Sequence, residues 1–330
     1  MNPISISFLR SNVVESIHFA KVLITKIDGK PLITTGNDND FIYPRSSIKI
    51  FQAIPFVTSK AISTLKLSNK MIALSCSSHR GEKYHIKELE KWLKKINVKA
   101  SNLKCGQHYP LNQVAKEKLI SKNIKINELY NNCSGKHLAM ISSSIQNNYN
   151  IDSYLNFNHP QQRNIREIFE MFSGSKINKK NFGVDGCSAP QYSFKLKNIS
   201  KLVNNLIKSY KNNFYKSYET KTLIDAVLEN PDYIGGIDSF DSKVIKISNK
   251  RIFCKGGAEG VFLFADLKSD ISGIVKIIDG NERAIPYLIF SIFKKLQLLN
   301  KEELTELKKI YSFKLLNHAK IKIGSIKTSI

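Results

Sequence analysis

Residues 19–35 read FAKVLITKIDGKPLITT. Two segments rich in β-branched residues flank Asp28-Gly29, a dipeptide that favours a tight hairpin turn. The pattern predicts an antiparallel pair of strands at 19–27 and 30–35. A β-sheet is therefore expected to begin close to the amino terminus.

Further strand patterns occur in the last third of the chain. Short segments of β-branched and aromatic residues predict strands at 251–254, 260–266 and 272–278, and residues 319–328 could close the sheet. Residues 71–76, MIALSC, also predict a strand. Most of the predicted strands thus lie near the two ends of the sequence.

The middle of the chain is predicted to be helical. Apolar residues recur there at spacings of three and four, as one face of an α-helix requires. Ser46 is predicted to cap a helix that runs to residue 53, with Pro55 ending or kinking it. The other helices are predicted at 86–96, 111–121, 135–146, 160–172, 199–211, 219–229, about 281–298 and 302–311.

Strands at both ends with helices between them predict an α+β fold. One antiparallel sheet is expected to form from both chain termini, with a helical middle lobe. We expect a single domain, 1–330, whose sheet lobe covers about 1–80 and 245–330 and whose helical lobe covers about 81–244.

The charge balance is strongly basic. The 330 residues include 51 Lys and Arg against 27 Asp and Glu, a formal net charge of +24. Such a charge is typical of proteins that bind nucleic acid, acidic partners or anionic membranes. Only seven of these cations are Arg, on which phosphate and base recognition depends heavily, and the lysines are spread along the predicted helices. The charge therefore indicates a solvated surface, and we expect no nucleic-acid partner.

Membrane and secreted classes are also disfavoured. No apolar run approaches the ~18–20 residues that a membrane span needs, and the first ten residues lack a signal-peptide pattern. An odd number of widely spread cysteines is more typical of thiols or metal ligands than of a disulfide framework. We expect a cytoplasmic protein without a membrane partner. The cysteines are Cys76, Cys105, Cys133, Cys187 and Cys254.

Ser46 and Lys49 form a pair with catalytic potential. At a spacing of three in a helix, both side chains lie on one face. A neutral lysine can take the serine proton, and the N–H groups of a helix N-terminus can stabilise an oxyanion. The S-x-x-K spacing recurs four more times in this lysine-rich chain, so the pair alone is not specific.

Five loops combine glycine with Ser, Cys, His or Lys. Glycine lets the backbone approach a ligand closely. A single loop of this kind could be a turn or a helix cap, but five in one chain indicate a binding site. The loops are 77–82, 105–110, 131–137, 183–190 and 255–260.

Four motifs together make the chain resemble the asparaginase II family, the rhizobial-type L-asparaginases related in fold to serine β-lactamases and glutaminases. The motifs are RSSIK at 45–49, NNCSGKH at 131–137, GVDGC at 183–187 and GAEG at 257–260. The resemblance covers nearly the whole chain. It implies one catalytic domain with a serine β-lactamase-like fold, and a homodimer. Arg80 and the run Ser188-Ala189-Pro190 depart from the family pattern.

The resemblance also implies catalytic roles. Ser46 is expected to be the nucleophile and Lys49 its activating base. Ser78 resembles the family's second catalytic serine, with Lys255 as its partner. No organic cofactor is expected. A Zn²⁺ site, which the acyl-enzyme chemistry does not require, is implied at Cys133, Lys136 and Cys187.

The implied reaction is hydrolysis of L-asparagine to L-aspartate and ammonia through an acyl-enzyme on Ser46. The substrate α-ammonium needs an anion, for which Glu259 and Asp185 are candidates. The α-carboxylate needs a donor such as Arg45. His79 is also placed in the substrate-binding set.

Three alternatives stay open. Glutaminase activity is the nearest, because the two substrates differ by one methylene, worth only ~1–3 kcal/mol of discrimination. Another β-lactamase-like serine amidohydrolase is the second, because Lys255-Gly256-Gly257 resembles the Lys-Ser/Thr-Gly element of those enzymes. A basic nucleic-acid-binding protein is the third, and the scarcity of Arg disfavours it.

Overall fold

The computed structural model describes residues 3–330. The packing of the backbone divides them into two compact units. Unit 1 contains the described residues up to Ser47, together with Lys195–Ile207 and Lys243–Ile330. Unit 2 contains Ile48–Phe194 and Lys208–Ser242.

The described residues form twelve strands and thirteen α-helices. None of these helices combines the length and the hydropathy that crossing a membrane requires. The strands are β1 Ile4–Arg10, β2 Val13–Lys26, β3 Pro31–Thr35, β4 Phe41–Ile42, β5 Phe182–Val184, β6 Pro190–Tyr192, β7 Phe194–Lys195, β8 Ile252–Gly257, β9 Val261–Asp266, β10 Ile271–Ile277, β11 Lys314–Leu316 and β12 Lys322–Ser329. The helices are α1 Lys49–Thr58, α2 Ala61–Thr64, α3 Asn69–Ser75, α4 Lys83–Lys95, α5 Gln113–Ser121, α6 Ser134–Gln146, α7 Pro160–Ser173, α8 Leu196–Tyr210, α9 Ser217–Glu229, α10 Asp232–Gly235, α11 Phe240–Ile247, α12 Ile285–Lys295 and α13 Lys301–Ile310.

Unit 1 is built on one antiparallel sheet. Its strand order is β11-β12-β1-β2-β10-β9-β8, and β3 also pairs with β2. Strands β1 to β3 come from the amino-terminal part of the chain, and β8 to β12 come from the carboxyl-terminal part. The predicted α+β fold, with a sheet formed from both chain termini, is confirmed. The residue pattern does not predict β1, which pairs with both β2 and β12.

Helices cover both faces of this sheet. Residues paired across antiparallel strands share a face of the sheet. Thr25 and Ser272 are paired and lie on one face. Phe264 pairs with Gly273, the residue after Ser272, and therefore lies on the other face. On the first face, Asn204 of α8 donates to Thr25 Oγ1 at 2.9 Å. On the second face, the ring of Phe293 from α12 packs edge-on against Phe264, with centroids 5.0 Å apart. Strand β9 is consequently buried along its whole length.

Unit 2 is organised around α1. Nearly every residue of this helix is buried, and it contacts α6, α7 and α9. Phe51 of α1 packs against Phe169 and Phe172 of α7, with ring centroids 6.2 and 5.3 Å apart. Because α1 begins at Lys49, this core fixes the position of the residue that the sequence marks as a catalytic base.

Residues 71–76 are not a strand. They fall mainly in α3, which packs against α6 and α9. Ser68 caps α3 by accepting a hydrogen bond from the Met71 N–H at 3.4 Å. The strand prediction is wrong because a short, mostly apolar run has the same pattern in a buried helix as in a buried strand.

The start of α1 also differs from the prediction. A 3₁₀ turn, Arg45–Ile48, precedes the helix. The residue at the cap position is Ile48, which makes no side-chain capping bond, so Ser46 is not the cap. The helix also continues three residues beyond Pro55, because its buried position in the core outweighs the one backbone hydrogen bond that proline removes.

Gly135 of α6 lies against the backbone of α3. A Cβ added there would be 2.1 Å from the Leu74 carbonyl oxygen, so Gly135→Ala must push the two helices apart. We expect this variant to lose about 1–3 kcal/mol of unfolding free energy, measured by urea unfolding followed by circular dichroism. Gly186→Ala is the matched control, because a Cβ at Gly186 meets nothing within 4 Å. Equal unfolding free energies for the two variants would contradict the packing.

Candidate active site

The amine of Lys49 is at the centre of the candidate site in unit 2. The residue is only 1% exposed. Its Nζ donates to Ser78 Oγ at 3.1 Å and to Cys133 Sγ at 3.2 Å, and it also donates to the carbonyl oxygen of Ser77. These contacts place a basic nitrogen within proton-transfer distance of a serine hydroxyl.

The loop that carries Ser78 is held from both sides. Ser77 extends the end of α3, because its N–H and its hydroxyl donate to Leu74 O at 3.1 and 2.8 Å. The Ser78 N–H donates to Ile234 O of α10 at 2.8 Å. The backbone that carries the Ser78 hydroxyl is therefore held by α3 and α10.

His79 follows directly and is fully buried. Its Nε2 is 2.8 Å from Ser134 Oγ, and its Nδ1 accepts a hydrogen bond from the Gly81 N–H at 3.2 Å. Burial lowers the pKa of His79 well below its usual range. The ring is thus engaged inside the protein through both of its nitrogens.

A second cluster adjoins Lys49 through Cys133. Donor atoms of Cys133, Asp185 and Cys187 all lie within 4.8 Å of one another, and Lys136 Nζ donates to Cys187 Sγ at 3.0 Å. Cys133 and Lys136 come from the start of α6. Asp185 and Cys187 come from the turn between β5 and β6, which is closed by the Ser188 N–H donating to Asp185 O at 2.8 Å.

The electrostatics of this cluster favour the thiolate form of Cys187 beside the ammonium form of Lys136. The hydrogen bond from the Cys133 thiol, aided by Lys136, lowers the pKa of Cys187 to about 5. The same hydrogen bond, together with burial, raises the pKa of Cys133 to about 12. Burial acts to lower the pKa of Lys136, but the neighbouring Cys187 and Cys133 outweigh it and raise this pKa.

The donor set of the cluster fits zinc. Zn²⁺ prefers thiolate and nitrogen donors in a tetrahedron, and a carboxylate or a water can complete the four ligands. Cys133, Lys136 and Cys187 supply two sulfurs and one nitrogen, and Asp185 supplies an oxygen at the same place. Lys136 would have to release its proton to bind a metal. The structure thus groups Asp185, a candidate substrate ligand in the sequence, with the predicted metal ligands.

Unit 1 contains the other predicted catalytic residues. Ser46 is half-buried in the 3₁₀ turn, next to Arg45, whose backbone is left-handed with φ +52°. The end of β8 lies against this turn: a Cβ on Gly257 would be 2.7 Å from Pro44 O. Lys255 lies on the same strand, is 3% exposed and donates from Nζ to Gly256 O at 2.9 Å. Unit 1 therefore places the strand of Lys255 beside the segment of Ser46.

Glu259 lies at the turn between β8 and β9, with φ +64° and an exposed side chain. A Cβ on Gly280 would be 2.6 Å from Glu259 Oε2, so the carboxylate rests on a glycine turn. Lys276 donates from Nζ to Glu259 O at 2.5 Å. Burial, with help from neighbouring cations that include Arg45, lowers the pKa of Lys276. Through its hydrogen bond to Glu259 O, Lys276 holds the turn of Glu259, a role that no sequence motif indicates.

A sequence model of the L-asparaginase II family matches residues 6–328, nearly the entire chain. The chain belongs to the L-asparaginase II family. Comparison with curated protein sequences gives no match. Among the solved structures that match is the "Crystal structure of putative beta-lactamase from Bacteroides dorei DSM 17855". It is 10% identical with a TM-score of 0.39, and the match covers 88% of this chain and 93% of that chain.

Each unit therefore contains some of the site residues predicted for this L-asparaginase II family member. Two features were not predicted from the sequence: the hydrogen bond between Ser134 Oγ and His79 Nε2, and the grouping of Asp185 with two thiols. The position of Asp185 two residues before Cys187 in one tight turn was the available signal. The predicted residues within unit 2 are Lys49, Ser78, His79, Cys133, Lys136, Asp185 and Cys187, and those within unit 1 are Arg45, Ser46, Lys255 and Glu259.

Proposed function

We propose that the protein hydrolyses L-asparagine to L-aspartate and ammonia. Membership of the L-asparaginase II family supports an asparaginase-type amidohydrolase. The observation that carries the proposal is the buried Lys49 amine, whose Nζ is 3.1 Å from the hydroxyl of Ser78. Amide hydrolysis through a serine ester needs such a base beside a hydroxyl group.

Ser46 is the proposed nucleophile, on the basis of its motif and its place three residues before Lys49. Neutral Lys49 takes the hydroxyl proton as Ser46 Oγ attacks the side-chain amide carbon of asparagine. The tetrahedral intermediate collapses, the C–N bond breaks, and the proton leaves with the nitrogen as ammonia. Water then hydrolyses the aspartyl ester: its oxygen bonds to the acyl carbon, the bond from that carbon to Ser46 Oγ breaks, and one proton of the water goes to Ser46 Oγ. Ser78 is the proposed relay between the base and the leaving group, because its hydroxyl already accepts from Lys49.

The remaining residues are proposed to bind the substrate or support the reaction. Glu259 offers an exposed carboxylate for the α-ammonium, and Asp185 becomes the weaker candidate because its carboxylate adjoins the thiols. Arg45 is the proposed donor to the α-carboxylate, and Lys255 the proposed partner of Ser78. The family resemblance further supports a serine β-lactamase-like fold and a homodimer, and the free cysteines are compatible with a cytoplasmic location.

Replacement of the two serines separates the nucleophile from the relay. We expect Ser46→Ala to lower kcat by roughly 10⁴-fold or more, and Ser78→Ala to lower it by about 10²–10⁴-fold, with both proteins folded by circular dichroism. Ammonia release from L-asparagine and L-glutamine is the measurement. Ser63→Ala is the matched control, because Ser63 belongs to another S-x-x-K spacing and is exposed. Activity retained by Ser46→Ala and abolished in Ser78→Ala would make Ser78 the nucleophile, and glutamine preferred over asparagine would make the protein a glutaminase.

We also propose that Cys133, Lys136 and Cys187 hold Zn²⁺. A bound ion would supply a fixed positive centre that links the start of α6 to the turn between β5 and β6. We expect protein purified without chelator to contain zinc in stoichiometric amount, and Cys187→Ser to contain almost none. Cys254→Ser, a replacement of a buried thiol on β8, serves as the control and should keep the metal. Equal zinc contents in the two variants would end the proposal, whatever their activity.

A further inference from the structure

We propose that His79 is a positioning residue that holds the Ser78 hydroxyl against Lys49, and that it does not bind the substrate. The inference rests on the proposed function, because it concerns the hydroxyl and the amine of that site. It also changes the role that the sequence indicates for His79, which is a place in the substrate-binding set.

Burial removes His79 from any bound substrate. The side chain has no exposed surface. One face of its ring stacks on His85, with centroids 5.2 Å apart and planes at 30°. His85 is itself buried and is hydrogen-bonded between Nε2 and Asp232 O at 3.0 Å. A ligand would have to displace part of the core of unit 2 to reach the imidazole.

The hydrogen bonds of His79 define one tautomer. Because the Gly81 N–H donates to Nδ1 at 3.2 Å, Nδ1 carries no proton. The proton of the neutral ring is therefore on Nε2, which donates to Ser134 Oγ at 2.8 Å. The Ser134 hydroxyl in turn donates to Leu129 O at 3.0 Å. Each ring nitrogen and the Ser134 hydroxyl then has a partner, with no donor facing another donor.

This chain of bonds joins the two segments that surround the Lys49 amine. Ser78 lies directly before His79, and Ser134 lies directly after Cys133. The Lys49 Nζ contacts Ser78 Oγ at 3.1 Å and Cys133 Sγ at 3.2 Å. A link from His79 to Ser134 therefore fixes the distance between the two groups that the amine contacts. Loss of the link would let the loop shift, and small displacements of a catalytic group are costly in rate.

Two substitutions distinguish the roles of the two ring nitrogens of His79. In His79→Asn, the side-chain oxygen can accept from Gly81 at the place of Nδ1, but the shorter side chain cannot reach Ser134. In His79→Gln, the amide nitrogen can occupy the place of Nε2 and donate to Ser134. We expect His79→Asn to lower kcat for L-asparagine by at least ~10-fold with KM nearly unchanged, and His79→Gln to recover most of that loss.

Ser134, the hydrogen-bond partner of His79 Nε2, allows a second test. Ser134→Ala removes the acceptor, so it should lower kcat as His79→Asn does. The double variant should then be no slower than either single variant, because both changes break the same link. Unfolding temperatures of all variants are measured in parallel, and a long-range ¹⁵N–¹H spectrum of the wild type assigns the His79 tautomer independently of activity.

The outcomes are distinguishable. A large rise in KM with kcat unchanged in both His79 variants would make His79 a substrate ligand and overturn the inference. Multiplying losses in the double variant, or a ring protonated on Nδ1, would overturn it as well. A folded wild type that releases no ammonia from either amide would instead overturn the proposed function, and the catalytic part of the inference with it.

Discussion

The amine of Lys49 is buried, and the arrangement of the surrounding segments depends on satisfying its hydrogen bonds. A buried amine has no water to bond with, so it needs hydrogen-bond partners inside the protein at bonding distance. Ser77, Ser78 and Cys133 supply them. The serines follow α3, and the cysteine precedes α6. The need to satisfy the hydrogen bonds of one buried amine without water thus draws two distant stretches of chain together, and Gly135 lets the helices that carry them approach closely.

Cys133 connects this amine to the second buried lysine of unit 2. Lys136 is compensated by the thiol groups and the carboxylate beside it, and its Nζ donates to Cys187 Sγ at 3.0 Å. Most other lysines of the chain carry exposed charge; Lys176, for example, is 90% exposed in its ion pair with Glu170. The net charge of +24 is therefore a property of the surface. Among the lysines of unit 2, Lys49 and Lys136 stand apart because both are buried beside serine or cysteine.

Much of the secondary structure follows from residue pattern. Hairpin 19–35 becomes β2 and β3, and the long middle helices appear within a few residues of their predicted bounds, because amphipathic periodicity is strongest over long segments. The pattern fails for α3, whose apolar run is buried on all sides, and for Ser46, which lies in a 3₁₀ turn. It also misses β1, a strand of seven residues of which four are buried, two are partly buried and one is exposed. In each case the deciding factor is the neighbouring element, which the local sequence does not contain.

The sequence by itself determined the chemical groups available: a serine three residues before a lysine, cysteines beside glycines, and loops that resemble one family throughout. These groups belong to the covalent chain, so the amino-acid sequence alone shows that they are present. Only the tertiary structure decided which groups meet. It brought the Lys49 amine within hydrogen-bond distance of the Ser78 hydroxyl, although the two residues lie 29 positions apart in the sequence. It also grouped Asp185 with two thiols and closed His79 inside the core against Ser134. Contacts of this kind arise from the packing of α1, α3 and α6 and from the cost of leaving polar groups buried and unpaired, and that packing is a property of the whole chain.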